Sequence, residues 1–286
     1  MEYNFKQDLK AIREILGMTQ SELAQSLGVE QVTISRNELG STAPSGKLLE
    51  QVYRFAFKNG VKLNRLKEMF WRESTDTSHT LLFHGAKSEI VGDIDVHRSR
   101  ANNDFGQGFY ASESYEQAIS FVSAFDKSSV YFLDFDGEGL KSKRYEVNQD
   151  WMMTIAYYRG ALDEYKEHPI VKNLVEKSRD CDYVIAPIAD NRMFQIINSF
   201  ISGEITDEQC KHRLAATNLG SQYVFISDKA VSRVKIVERC YICADEKEYY
   251  KNIRSDDARL GDDKVKLARI NYRGKGRYID EILNQN

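Results

Sequence analysis

Near the start of the chain, three glycines, Gly17, Gly28 and Gly40, each close a short run of helically spaced apolar residues. In "LKAIREILG", Leu9, Ile12, Ile15 and Leu16 fall on one face before Gly17 stops the helix. In "TQSELAQSLG", Thr19 is an N-cap with Glu22 three residues on, the pattern of a capping box. Leu23, Ala24 and Leu27 supply that helix's apolar face, and Gly28 ends it. "VEQVTISRNELG" predicts a third helix with Val32 and Ile34, or Leu39, turned inward and Gly40 as its stop. "SGKLLEQVYRFAF" predicts a further helix that closes the bundle. Helix, short turn with glycine, helix is a layout used to read DNA.

From Thr19 to Gly40 the residues Thr19-Gln20, Leu23-Ala24, Leu27-Gly28-Val29, Ile34-Ser35, Glu38 and Gly40 recur in order. This pattern resembles the helix-turn-helix of bacterial and phage repressors. The resemblance implies that the third helix enters the major groove of double-stranded DNA with Gln31, Thr33, Ser35 and Arg36 exposed near its start. Gln bonds an adenine edge in bidentate fashion, and Ser or Thr bonds either base. Gln20 is placed for a phosphate or for bracing a second glutamine. Asn37 departs from the aromatic or Ile usual at its position, and Glu30 brings negative charge toward the groove. Dimerisation would double the contacts. A small helical bundle used for protein contacts carries a similar apolar pattern.

With 286 residues, 42% hydrophobic and 29% charged, the chain suits two domains with buried cores. Its net charge of −3 confines any nucleic-acid surface to a local patch. Cys240 and Cys243 form C-Y-I-C, but no second such pair or nearby histidine pair accompanies them. No metal site is therefore expected, and the four cysteines read as reduced and structural in a cytoplasmic protein. "MEYNFKQDLK" is charged and lacks an apolar signal region, and no apolar run approaches the roughly 20 residues that span a bilayer.

"ESTDTSHT" is small and polar, which places a boundary near Ser74 to Thr77, between a domain over 1–74 and one over 78–286. The second part alternates short strands with helices. Leu81 to Phe83 is a strand ended by His84-Gly85, a helix runs from about Ser114 to Phe125, and "SSVYFLDFD" is a strand. "DWMMTIAYYRGALDEY" and "HPIVKNLVEKSR" read as helical, "CDYVIAPIAD" as a strand, and "NRMFQIINSFISGEI" and "TDEQCKHRLAATN" as helices. "SQYVFISDKAVSRVKIVERCYIC" supplies one or two more strands. The mixed order predicts an α+β fold, and no G-x-G-x-x-G follows a strand, so a dinucleotide-binding Rossmann unit is disfavoured. The tail from Lys264 mixes Lys and Arg with Tyr272 and Tyr278, a composition that suits a solvated surface or single-stranded nucleic acid.

"DFGQGFYAS", Asp104 to Ser112, packs Phe105, Phe109 and Tyr110 around Gly106 and Gly108. Glycines weaken a plain strand. They permit close approach and sharp turns, and the aromatic rings give a platform. His84-Gly85, then "FGQGFY", then "QYVF" resembles the ADP-ribosyltransferase fold. The likeness is to the branch of diphtheria toxin and the poly(ADP-ribose) polymerases, in a bacterial family with HG, DFGxGFY, ADxR and QYVF motifs. It runs from about Leu81 to Ile236.

The resemblance implies an α+β transferase domain behind the helical bundle, with NAD as substrate. His84 would hold a ribose hydroxyl, and the Gly85 backbone would meet the carboxamide. Tyr110, with Phe109, would stack on the nicotinamide, while Gly106 and Gly108 let the loop pass under it. Arg98 or Arg100 would bind the pyrophosphate. The family's Glu on the late strand is Gln222 here, which can bond a hydroxyl but carries no charge. Losing that carboxylate beside a developing cation should cost several kcal/mol. Asp104 and Asp190 are the candidate substitutes; Asp190 is also placed to cap the following helix, and Asn191 stands where the family has a second acid.

Two functions follow from the resemblance. One is an ADP-ribosyltransferase acting on a macromolecule, fused to a DNA-binding regulatory domain in the manner of a toxin–antitoxin or phage-defence effector. The other is a transcription regulator whose degenerate transferase domain senses NAD or ADP-ribose. The residues leave open the acceptor, a small neutralising partner protein and a homodimer.

Overall fold

The structure is a computed structural model that describes residues 2–215, 220–253, 267 and 270–284. In chain order it holds α1 (Phe5–Ile15), α2 (Gln20–Leu27), α3 (Gln31–Leu39), α4 (Gly46–Lys58), α5 (Leu63–Ser74), β1 (Thr80–Ala86), β2 (Phe109–Ser112), α6 (Tyr115–Val122), β3 (Ser129–Phe135) and β4 (Ser142–Arg144). There follow α7 (Gln149–Tyr158), α8 (Pro169–Arg179), β5 (Tyr183–Pro187), α9 (Asn191–Ile201), α10 (Asp207–Ala215), β6 (Ser221–Phe225), α11 (Asp228–Val231), β7 (Val234–Tyr241), α12 (244–253) and α13 (Ile279–Leu283). Two compact units divide them. The first comprises Met1–Gly92, Ser114–Phe135 and Lys235–Ile253; the second comprises Asp93–Glu113, Asp136–Val234 and Arg254–Asn286.

The first unit begins with the expected bundle. Thr19 and Glu22 form the capping box, and Gly28 and Gly40 sit in the left-handed region at the ends of α2 and α3. Leu9, Ile12, Leu23, Ile34 and Val52 are fully buried at the bundle's centre. Inward assignments on α1 and α3 are corrected. Ile15 is 53% exposed because α1 ends there, one turn past the buried Ile12. On α3 only Ile34 and Asn37 are buried, whereas Val32 is 40% and Leu39 70% exposed. A nine-residue helix packed on two neighbours buries one narrow stripe, and positions 34 and 37 lie on it.

The same unit contains β1, β3 and β7 in that order, with β1 antiparallel to β3 and His84 opposite Tyr131. His84-Gly85 lies inside β1, which continues to Ala86, rather than ending it. Phe83, Tyr115, Phe132 and Cys240 form a second core where α6 covers the strands. Polar groups tie the bundle to this layer. Lys67 on α5 reaches Asp8 of α1 at 2.7 Å and Glu238 of β7 at 2.9 Å, and the Tyr53 hydroxyl donates to Asp8. Glu246 on α12 accepts from Asn64 and from the Tyr115 hydroxyl, each at 2.9 Å.

The second unit orders its strands β4-β5-β6-β2, with β4 parallel to β5 and the other neighbours antiparallel. The strand Phe109–Ser112 was not expected; glycines precede it rather than interrupt it. Trp151, Ile155, Val184, Ile197, Phe200 and Val224 build the core between sheet and helices. Thr206 and Gln209 cap α10 reciprocally, as their spacing predicts. The end of that expected helix, 216–218, and residues 264–266, 268 and 269 of the basic tail lie outside the described residues.

Among the described residues no helix is long and apolar enough to cross a membrane. No group of three or more His, Cys, Asp or Glu among them could hold a metal ion.

Candidate functional site

The exposed face of α3 is held by a chain of side-chain bonds. Arg13 Nε donates to Glu38 Oε1 at 2.7 Å, and Gln20 Nε2 donates to Glu38 Oε2 at 2.7 Å. Gln31 Nε2 then donates to Gln20 Oε1 at 2.7 Å. Burial opposes the Glu38 carboxylate, but Arg13 and Gln20 outweigh it and hold its pKa below the ordinary range. Gln20 therefore braces Gln31, and the glutamine pair is fixed before any ligand arrives. Gln31 and Arg36 are exposed, with Thr33 and Ser35 half-buried. Val32 shares the exposed face, a position the apolar pattern turns inward.

In the second unit the loop before β2 closes on a buried carboxylate. Asp104 Oδ1 accepts from Arg159 Nε at 2.8 Å and pairs with its Nη2 at 2.5 Å. Oδ2 accepts from Gln222 Nε2 at 2.8 Å and from the Ala189 N–H at 3.3 Å. Arg159 also donates to the Ala189 carbonyl at 2.6 Å and lies over the Phe194 ring. Burial pushes the Asp104 carboxyl up, against the pull of Arg159, Gln222 and Ala189.

The pairing register explains the convergence. Ser112 on β2 is opposite Gln222 on β6, and Tyr110 is two residues before Ser112, so Tyr110 and Gln222 share one face. The Tyr110 hydroxyl donates to the Gly106 carbonyl at 2.8 Å and accepts from the Phe105 N–H at 3.1 Å. Gln222 Nε2 is also bonded to the Pro187 carbonyl at 3.1 Å. Both Nε2 protons are thus engaged, while Oε1 accepts from no described residue.

The glycines meet protein atoms. Gly106 has φ of +76°, and a Cβ there would lie 3.0 Å from the Tyr158 ring. A Cβ on Gly108 would lie 2.8 Å from the Phe225 carbonyl oxygen. On β1 of the first unit, a Cβ on Gly85 would collide with the Ala118 carbonyl of α6. Close packing therefore requires glycine at 85 and 108, and the backbone conformation requires it at 106.

The structure brings Asp104, Gly106, Tyr110 and Gln222 together in the second unit and adds Arg159, which sequence reasoning missed. Its signal was a lone arginine directly after the apolar "MMTIAYY". Phe109 is buried beside Phe225. Asp190 caps α9, its Oδ1 accepting the Met193 N–H at 2.9 Å. Arg98 is exposed and 3.5 Å from Asp95, and Arg100 is exposed. His84, half-buried, belongs to β1 of the first unit.

Residues 80–236 match the family described as "Protein of unknown function (DUF3990)", and residues 9–53 match the helix-turn-helix family. The N-terminal region is therefore a helix-turn-helix DNA-binding domain. No curated protein and no solved structure matches the chain.

Proposed function

The chain belongs to the DUF3990 family, and we propose, on the motif resemblance, that it is a DNA-binding regulator whose second part is an NAD-dependent ADP-ribosyltransferase. The observation that carries this is the fixed amide of Gln222. Asp104 and the Pro187 carbonyl consume its donors, so the side chain offers a ligand only an acceptor oxygen, as a glutamate would. That oxygen suits the ribose 2′-hydroxyl of NAD. The resemblance gives His84 a second ribose hydroxyl, Gly85 the carboxamide and Tyr110 the nicotinamide ring. Nicotinamide leaves the anomeric carbon with the bonding electron pair, and a macromolecular nucleophile attacks the opposite face. Such an activity fused to a DNA reader fits a toxin or phage-defence effector that controls its own synthesis, with a small protein to neutralise it.

One observation favours a second function, a regulator that senses NAD or ADP-ribose without transfer. Arg159 neutralises Asp104, and Gln222 is uncharged, so this cluster has no unpaired carboxylate to oppose a developing cation. Calorimetry with NAD on the full chain tests both. Micromolar binding that His84→Ala abolishes supports an NAD pocket, and no binding by the wild type removes both functions.

A further inference from the structure

The second unit contains a cavity of about 590 Å³ beside the loop that carries Asp104. That volume lies within the roughly 300–1,000 Å³ of small-molecule sites. Of the residues discussed for NAD, only Gly106 lines it.

Three kinds of group meet there. Tyr157 and Tyr158, half-buried at the end of α7, meet edge to face at 84°, so a planar group can stack on one ring with its edge against the other. Lys166 and Arg179 supply positive charge. Lys166 shares its charge with Asp163 at 3.0 Å, whereas Arg179 makes no ion pair with any described residue. Gln107 adds an acceptor: its Nε2 donates to the His97 and Ser99 carbonyls at 3.2 and 3.3 Å, leaving Oε1 without a described partner.

An aromatic corner, a guanidinium without an ion pair among the described residues and an amide oxygen without a described partner are the complements of a base, a phosphate and an exocyclic amino group. We propose that this cavity binds a free adenine nucleotide, with the ring against Tyr157 and Tyr158, the phosphate on Arg179 and Lys166, and the amino group on Gln107. The site is separate from the NAD pocket proposed above and does not depend on it. Phe105, Gly106 and Gln107 line the cavity while Asp104 beside them holds Gln222, so a bound nucleotide touches the loop that positions the Gln222 amide.

Cys181 provides the readout. It is half-buried on the cavity wall, while Cys210, Cys240 and Cys243 are buried. Full-length protein is titrated with AMP, ADP, adenosine, inorganic phosphate or NAD while an aromatic disulfide reagent labels its thiols, and the same series is followed by calorimetry. AMP and ADP are expected to slow Cys181 labelling about tenfold at saturation, and to bind at least about tenfold more tightly than adenosine or phosphate alone. Arg179→Ala and Lys166→Ala should each raise the half-saturating AMP concentration, the former by about tenfold. Absence of both protection and calorimetric binding by AMP would overturn the proposal. So would an unchanged midpoint in Arg179→Ala, or equal protection by adenosine alone. Protection of Cys181 by NAD as strong as that by AMP would show one site instead of two and overturn it as well. Nicotinamide release measured without added AMP or ADP tests the transferase separately.

Discussion

Gln222 donates its amide to the buried Asp104 carboxylate at 2.8 Å, on the side of that carboxylate away from Arg159. A charge, its counter-ion and a neutral amide are thereby locked into one arrangement. Removing the cation strands a carboxylate with little water around it. Arg159→Ala should therefore lower unfolding free energy by about 3–5 kcal/mol. Asp104→Asn in that background should recover part of the loss, since the stranded charge is gone. A urea-unfolding double-mutant cycle checks both, and purely additive losses would mean that the pair is not coupled.

Gly85 and Gly108 separate packing from ligand binding. The Ala118 carbonyl occupies the space of a Cβ at 85, and the Phe225 carbonyl that at 108. Gly85→Ala and Gly108→Ala should each destabilise the protein by about 1–3 kcal/mol without NAD present. Unchanged unfolding midpoints would assign these glycines to ligand approach alone.

The bundle was legible in the sequence because its rules are local. Thr19 and Glu22 sit three apart, the glycines stop the helices, and the apolar residues of α2 repeat at helical spacing. Val32 and Leu39 misled because α3 buries a stripe only wide enough for Ile34 and Asn37, and that width depends on its neighbours. The stretch "DFGQGFYAS" announces itself by composition, but its meaning is non-local. Arg159 and Gln222 are 55 and 118 residues from Asp104, and no spacing in the chain joins them. The grouping of α1–α5 with β1, β3 and β7 rests on contacts such as Lys67 with Glu238, which the polar break after Ser74 hides.

Glu246 makes the first unit sensitive to pH. Burial raises its carboxyl from 4.5 to about 7, against the bonds from Tyr115 and Asn64. Because the folded pKa lies above the unfolded one, the folded state favours the proton. The associated stability is fully present below pH 4.5 and is lost as pH rises through about 7. The loss is on the order of 3 kcal/mol. Urea unfolding at pH 5 and pH 8 should show it, and Glu246→Gln should flatten the difference. An equal pH dependence in the variant would place the titrating group elsewhere.

On α3, Gln31 faces outward and Glu38 holds the brace beneath it. With a site selected from randomised duplex DNA, Gln31→Ala should weaken binding by about 1–3 kcal/mol and leave stability unchanged. Glu38→Ala should lower both, because Arg13 and Gln20 lose their common acceptor. Gel-shift titration alongside thermal unfolding distinguishes the two patterns.

Transfer of ADP-ribose releases nicotinamide and labels an acceptor, so a single assay reads both products. Purified protein is incubated with NAD labelled on its adenylate phosphate and with cell extract, following free nicotinamide and macromolecular label together. His84→Ala serves as the inactive control. We expect both products from the wild type alone, with protease or nuclease treatment of the label revealing the acceptor class. Label and nicotinamide at the level of His84→Ala, in a protein that binds NAD, would contradict transfer and leave the second part as a sensor.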